Sequence, residues 1–368
     1  MSSSRRVADP VPPRDDVQAL EGYHSPQLDV RVRLNTNESP YPPPPGFVDA
    51  WLDELGSAPL HRYPDREARA LRTALAARLG QPVERVFCAN GSNEVLQTLL
   101  LTYGGHDRRA LAFEPTYALH SHIARITGTP IAEGERRPDF TIDPDTAAKL
   151  VDRHTPAIVF ACSPNNPTGT VESPEAVNAL VDAVAATGRG LLVVDEAYGE
   201  FAPHSAMDMV ADDRPLVVVR TYSKVWSMAA IRLGFCVAPP WVVEELEKVV
   251  LPYHLATPTQ IAGRVALRFD GEMTARVDEL VRERERLFLT LDQDPRLVPY
   301  PSGANFVLFR VQGDGQRVWE GLVERGVLVR NFARWPRLHD CLRVTVGTSG
   351  ENDAFLDALA LVLDEVTP

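Results

Sequence analysis

The sequence predicts an α/β protein: a large domain on a doubly wound, mostly parallel sheet, followed by a smaller α+β domain. Three observations predict it. Short, continuously apolar runs recur at residues 86–89, 110–113, 157–162, 191–194, 216–219 and 233–237, the pattern of strands buried on both faces. Stretches long enough for helices separate them, as a parallel sheet with crossover connections requires. After about Pro258 the composition shifts to a long charged helix and a few shorter elements.

In order along the chain, the opening segment to about Val30 reads as an arm, with proline, charge and isolated Leu20, Tyr23 and Leu28. The proline run at residues 40–45 can be neither helix nor central strand and forms a stiff connector. Asp65 is placed to cap a helix whose apolar face is Ala68, Leu71, Leu75 and Leu79. The strands of the large domain follow. The small domain opens with a helix over roughly 273–291. A strand over 305–310, a helix near Trp319 and strands over 327–330 and 341–346 come next. A last helix carries Phe355, Leu359 and Val362 on one face. The expected division is an arm and connector over 1–40, a large domain over 41–257 and a small domain over 258–368. No internal repeat interrupts it.

A formal net charge of −12 argues against a nucleic-acid or anionic-membrane partner, since both would be repelled. A small anion needs only a local cluster of donors. The polar, proline-containing start is unlike a signal peptide, and no apolar run approaches the ~20 residues of a membrane span, so a cytoplasmic protein is expected. Cys88, Cys162, Cys236 and Cys341 sit in or beside apolar runs without C-x-x-C spacing, which predicts buried, reduced thiols. The histidines are scattered, and His120 and His122 would point to different helix faces. No metal site is expected.

In an open parallel sheet, ligands bind outside the carboxyl ends of the strands. The first such end reads Asn90-Gly91-Ser92-Asn93, a turn into a helix whose free N–H groups suit a phosphate; alone, it is also an ordinary capped glycine turn. Ser163-Pro164-Asn165-Asn166-Pro167-Thr168-Gly169 is a rigid loop in which Asn166 could offer an amide to a ring oxygen, or simply a tight turn. Asp195 ends an apolar run, and a buried carboxylate needs a partner: a salt bridge, or a protonated pyridine nitrogen. Thr221-Tyr222-Ser223-Lys224 with Arg232 downstream combines hydroxyls and a cation for an anion with a lysine that desolvation could prepare for a Schiff base. Together, and in this order on one sheet, these pieces meet the requirements of a pyridoxal phosphate site.

That order and spacing resemble the fold-type I, pyridoxal-phosphate-dependent aminotransferases. Leu34-Asn35-Thr36-Asn37-Glu38-Ser39-Pro40-Tyr41, Arg62-Tyr63-Pro64-Asp65, Ser163 to Gly169, Asp195-Glu196-Ala197-Tyr198 and Cys341-Leu342-Arg343-Val344-Thr345-Val346-Gly347 narrow the resemblance to the histidinol-phosphate aminotransferase family, over nearly the whole chain. The resemblance implies that Lys224 bonds pyridoxal 5′-phosphate and moves the proton, and that Asp195 holds the pyridine nitrogen protonated. Tyr198 and Asn166 would bond the phenolic oxygen, and Tyr117 would stack on the ring. Ser92, Asn93, Thr221, Ser223 and Arg232 would hold the phosphate, with Tyr63 from a partner subunit. It further implies a homodimer with shared active sites. Substrate contacts fall to Tyr23, Asn37, Arg330 and Arg343, the arginines accepting phosphate or carboxylate through the same fork of donors. The implied reaction is transamination between histidinol phosphate and 2-oxoglutarate, in histidine biosynthesis.

Two stretches depart from the family pattern. Ala229-Ala230-Ile231-Arg232 has alanine where glycine is usual. Asn331-Phe332-Ala333-Arg334-Trp335 follows Arg330 where an acidic or small polar residue is common. An aromatic amino-acid aminotransferase is the alternative within the class. A decarboxylase of phosphorylated amino acids would need no 2-oxoglutarate. A regulator using this fold to sense cofactor would need a DNA-binding domain, for which the short arm is expected to leave no room.

Overall fold

The computed structural model describes residues 11–18, 20, 22 and 27–366. Among these residues the strands are β1 (Val32–Leu34), β2 (Val86–Ala89), β3 (Ala110–Glu114), β4 (Ile131–Glu135), β5 (Ile158–Cys162), β6 (Leu191–Asp195), β7 (Leu216–Thr221), β8 (Gly234–Val237), β9 (Leu297–Pro299), β10 (Phe306–Val311), β11 (Val327–Asn331) and β12 (Cys341–Thr345). They form a seven-stranded sheet in the order β2-β8-β7-β6-β5-β3-β4 and a five-stranded sheet in the order β1-β11-β12-β10-β9.

In the large sheet every pairing is parallel except those of β8, which runs antiparallel to both β2 and β7. The central strands β5, β6 and β7 are buried along their whole length, as their continuous apolar runs require. Helices cover both faces, and the apolar side chains of alternate strand positions feed two separate core clusters, one per face. All four cysteines are buried and free. No helix among the described residues is long and apolar enough to cross a membrane.

Three strands lie outside the expected runs. Strand β4, Ile-Ala-Glu-Gly-Glu, is a partly exposed edge strand, so it carries no continuous apolar signature. Strand β1 falls within the segment expected to be arm and connector, and pairs in parallel with β11, Val32 opposite Val327. Strand β9 is a three-residue edge ending in proline. The helix Phe47–Gly56 directly after the proline run was also not expected.

Asp65 acts at the helix start, but from further away than a standard cap. The helix begins at Arg69, and the Asp65 carboxylate accepts from the backbone N–H of Arg69 at 2.8 Å and of Glu67 at 3.1 Å. The small-sheet strands face the long helix Asp270–Asp292 and the terminal helix Ser349–Val366, whose Phe355, Leu359 and Val362 are buried.

Candidate active site

The carboxyl ends of β2, β3, β5, β6 and β7 open into one cavity of about 510 Å³ between the two sheets. Because β8 runs antiparallel, its beginning lies at the edge where its neighbours end. That reversal sets Arg232, just before β8, beside the loop after β7.

The anion cup comes first. The helix Ser92–Tyr103 starts at this edge behind Gly91, whose φ is +81°. Thr221 Oγ1 donates to Ser223 Oγ at 3.0 Å, and Arg232 Nη1 donates to the same Ser223 Oγ at 3.3 Å. Glycine is required twice here. A Cβ on Gly91 would stand 2.6 Å from Arg232 Nη2, and one on Gly234 would stand 2.3 Å from the Ser92 nitrogen. Backbone N–H groups, two hydroxyls and a guanidinium thus converge as an anion site requires.

Asp195 ends β6 at 2 % exposure. Among the described residues it makes no salt bridge with Lys or Arg; its Oδ2 lies 2.9 Å from His120 Nε2 and its Oδ1 accepts from the Ala197 N–H at 3.1 Å. The adjacent Glu196 holds Arg220 on the other side of the strand, at 2.7 Å. His120 is fully buried, stacked on Phe160 at 4.7 Å and edge-on to Tyr117 at 5.4 Å. It was missed as a site residue. The signal was its position one helical turn after Tyr117, on the helix Ala118–Ile126.

Lys224 is partly buried, and its Nζ donates to the Thr36 carbonyl at 3.1 Å and lies 5.6 Å from the centre of the Tyr198 ring. Desolvation, with help from the Arg343 and Arg232 charges, pulls its pKa down to about 8. The Tyr198 hydroxyl accepts from Asn37 Nδ2 at 2.9 Å and from Asn166 Nδ2 at 3.5 Å. Burial pushes its pKa up to about 12. Asn37 is held in turn by Thr345, whose Oγ1 donates to Asn37 Oδ1 at 2.9 Å. Tyr117 OH donates to Asn93 Oδ1 at 3.3 Å.

The far wall comes from the small sheet. Arg330 on β11 and Arg343 on β12 are directly opposite partners in the strand pairing, so their side chains leave the same face. Arg343 Nη2 donates to the Asn35 carbonyl at 3.0 Å, and Nη1 donates to Asn166 Oδ1. Like charges across a strand pair repel, and an anion between the two guanidinium groups relieves that repulsion.

Ser92, Asn93, Tyr117, Asn166, Asp195, Tyr198, Thr221, Ser223, Lys224, Arg232, Asn37, Arg330 and Arg343 therefore share one cavity. Tyr63 does not join them: the residue is 80 % exposed and its ring stacks on Tyr253 at 4.6 Å. Tyr23 lies outside the described residues. Ala230 is accommodated in a short 3₁₀ turn, and the left-handed residue is Arg232 itself, at φ +56°. Phe332 and Trp335, from the stretch after Arg330 that departs from the family pattern, also line the cavity.

The fold and this constellation define an aminotransferase: the chain belongs to the aminotransferase class I and II family, whose model matches residues 30–359. Among its relatives, the histidinol-phosphate aminotransferase of Frankia casuarinae is 46% identical, over 97% of this chain and 91% of the relative. That of Thermobifida fusca is 44% identical over 95% of each chain. Among solved structures, histidinol-phosphate aminotransferase from Sinorhizobium meliloti, in complex with pyridoxal-5′-phosphate, superposes with a TM-score of 0.87 at 23% identity, covering 96% of this chain and 97% of that one. Aspartate aminotransferase from Thermus thermophilus shares the fold at a TM-score of 0.77 and 23% identity, covering 91% and 92% of the two chains.

Proposed function

We propose that this aminotransferase binds pyridoxal 5′-phosphate in the cavity and exchanges the amino group of L-histidinol phosphate with 2-oxoglutarate. In the biosynthetic direction it makes histidinol phosphate from imidazole-acetol phosphate. The relatives at 42–46% identity over nearly their full length carry that name, which supports the substrate. The observation that carries the chemistry is the donor set. An anion cup, a buried carboxylate, a desolvated amine and a pair of hydrogen-bonding groups line one cavity. These match in kind a phosphate, a pyridine nitrogen, an aldehyde and a phenolic oxygen, so the residues fit the cofactor.

When bound, pyridoxal 5′-phosphate supplies the electron sink for transamination. The chain's residues do the rest. Ser92, Asn93, Thr221, Ser223 and Arg232 anchor the phosphate. Asp195, braced by His120, keeps a proton at the pyridine nitrogen. Tyr198 accepts from two amides and so has its own O–H to donate to the phenolic oxygen, with Asn166 beside it. Tyr117 packs on the ring. Lys224, with a pKa near 8, holds the aldehyde carbon. It would also be the base that moves the proton at the substrate Cα. Asn37 holds Tyr198 in place at the substrate end of the cavity. Arg330 and Arg343 bind the anionic group of whichever amino donor enters, phosphate or carboxylate. The active unit in this proposal is a homodimer, in which the outward-facing Tyr63 reaches the partner's phosphate site and Tyr23 its substrate.

The test compares half-reactions. Truncating Arg330 to Ala removes a charge-assisted contact worth about 1.5–3 kcal/mol, so kcat/KM for histidinol phosphate should fall by roughly one to two orders of magnitude. Phenylalanine should lose less, and Arg343→Ala should impair every donor, including glutamate. If the wild type prefers phenylalanine and Arg330→Ala harms the two equally, the aromatic amino-acid aminotransferase takes the place of this assignment.

A further inference from the structure

We propose that Phe332 and Trp335 form the side-chain subsite of this enzyme, an aromatic wall that selects amino substrates carrying a planar ring. The proposal rests on the aminotransferase reading above and concerns which part of the cavity recognises the substrate's side chain.

Position is the first argument. Both residues lie on the connection from β11 to β12, directly after Arg330, and both line the cavity that holds Lys224 and the two arginines. Their rings meet edge to face at 5.0 Å with planes 80° apart, so together they make a corner. Phe332 is 5 % exposed and carries a guanidinium group near its ring from each arginine, Arg330 at 5.9 Å and Arg343 at 5.5 Å. Trp335 is 39 % exposed; its indole is the part of the wall open to a ligand.

Rigidity is the second. Backbone bonds fold the connection on itself, Trp335 N–H to the Phe332 carbonyl at 2.8 Å and Asp340 N–H to the Ala333 carbonyl at 3.0 Å. Asn331 supports it from beneath, accepting from Ala333 N–H and donating to Gln316 Oε1, both at 2.8 Å. Phe332, Leu338 and Cys341 are buried in a cluster with Leu308 and with Phe140 of the large-sheet side. Arg337 clamps the tip to Glu135 at the end of β4, its Nε donating to Oε2 at 2.7 Å. A wall held at this many points can discriminate by shape, because little ordering remains to be done when a ligand arrives.

Chemistry is the third. An imidazole or phenyl ring gains from packing on an indole, beyond the area it buries. Glutamate, whose side chain is an anion without a ring, does not, and relies on the arginines alone. The wall should therefore favour ring-bearing donors by about three- to tenfold.

The experiment measures kcat/KM of the pyridoxal-phosphate-loaded enzyme in the half-reactions with histidinol phosphate, phenylalanine and glutamate. It uses the wild type, Trp335→Ala, Trp335→Leu and Trp335→Phe, with thermal unfolding of each. Expected is a three- to tenfold loss of ring-over-glutamate selectivity in the Ala and Leu variants, expressed mainly in KM, and recovery of most of it in the Phe variant. Equal losses on glutamate and ring donors would overturn the proposal, as would a Phe variant no better than Leu. The Leu variant keeps bulk without an aromatic face and guards against a misfolded Ala variant. If the wild type fails to turn over histidinol phosphate while Trp335 still governs phenylalanine against glutamate, the substrate assignment fails and the wall stands.

Discussion

Lys224 shows how one side chain's energetics follow from where the fold puts it. In the unfolded chain its amine stays protonated up to about 10.5, and in the folded, cofactor-free protein only up to about 8. Between those values the unfolded state binds more protons, so stability rises with pH across that window; below about 8 the full cost of confining the cation is present. The displacement corresponds to roughly 3 kcal/mol at most, since about 1.4 kcal/mol accompanies each tenfold change in proton affinity and the partly open cavity screens the charge. Cofactor-free Lys224→Met should therefore unfold at a higher temperature than the wild type at pH 7, with the gap closing toward pH 10. A gap that stays constant with pH would contradict this. Asp195 makes the complementary case. Asp195→Asn keeps a hydrogen bond to His120, so the fold should persist, but an amide does not hold a pyridine nitrogen protonated. Turnover should drop by at least about a hundredfold, and near-native kcat with an unchanged melting temperature would reduce Asp195 to a structural role.

At the scale of elements, the site depends on strands ending and beginning at one edge. The reversed strand β8 is the decisive piece, because it passes close enough to the helix start at Ser92 to bring Arg232 to the cup. Gly234 permits that approach. Its Cβ in a Gly234→Ala variant would meet the backbone of Gly91 and Ser92 at 2.3 Å, and main chain cannot swing aside as a side chain can. The expected cost is about 1–3 kcal/mol from overpacking, and the displaced helix start should also release the cofactor phosphate. A lower melting temperature and loss of the cofactor's visible absorption on dialysis are the two readouts; a variant native in both would mean the cup has slack.

The whole molecule brings together two sheets that line one cavity from opposite sides. The large sheet supplies Lys224, Asp195 and the anion cup, and the small sheet supplies Arg330 and Arg343. The exposed Tyr63 extends the argument to a second copy of the chain. If it acts across a dimer, mixing Tyr63→Phe subunits with Lys224→Ala subunits builds hybrids with one intact site and one lacking both groups. Random exchange should give roughly a quarter of wild-type activity per site, above the mean of the two parents. Verified hybrids showing no such gain would place Tyr63 outside the catalytic unit.

The sequence alone determined the buried parallel strands, the face of the terminal helix and the chemical groups at successive strand ends, because burial on both faces and turn chemistry leave local patterns. The run from 191 to 194 with Asp195 at its end, and Thr221 to Lys224 after β7, were legible for that reason. Strands β1, β4 and β9 were not. Edge strands with one solvated side carry a short or mixed pattern, and only a neighbour's open hydrogen-bonding edge makes them strands. The tertiary structure also decided that Arg330 and Arg343 stand opposite each other, that His120 rather than a lysine or arginine braces Asp195, and that Phe332 and Trp335 turn into the cavity. Each of these depends on register or packing between segments far apart in the chain, and no local periodicity encodes which distant segment will be the partner.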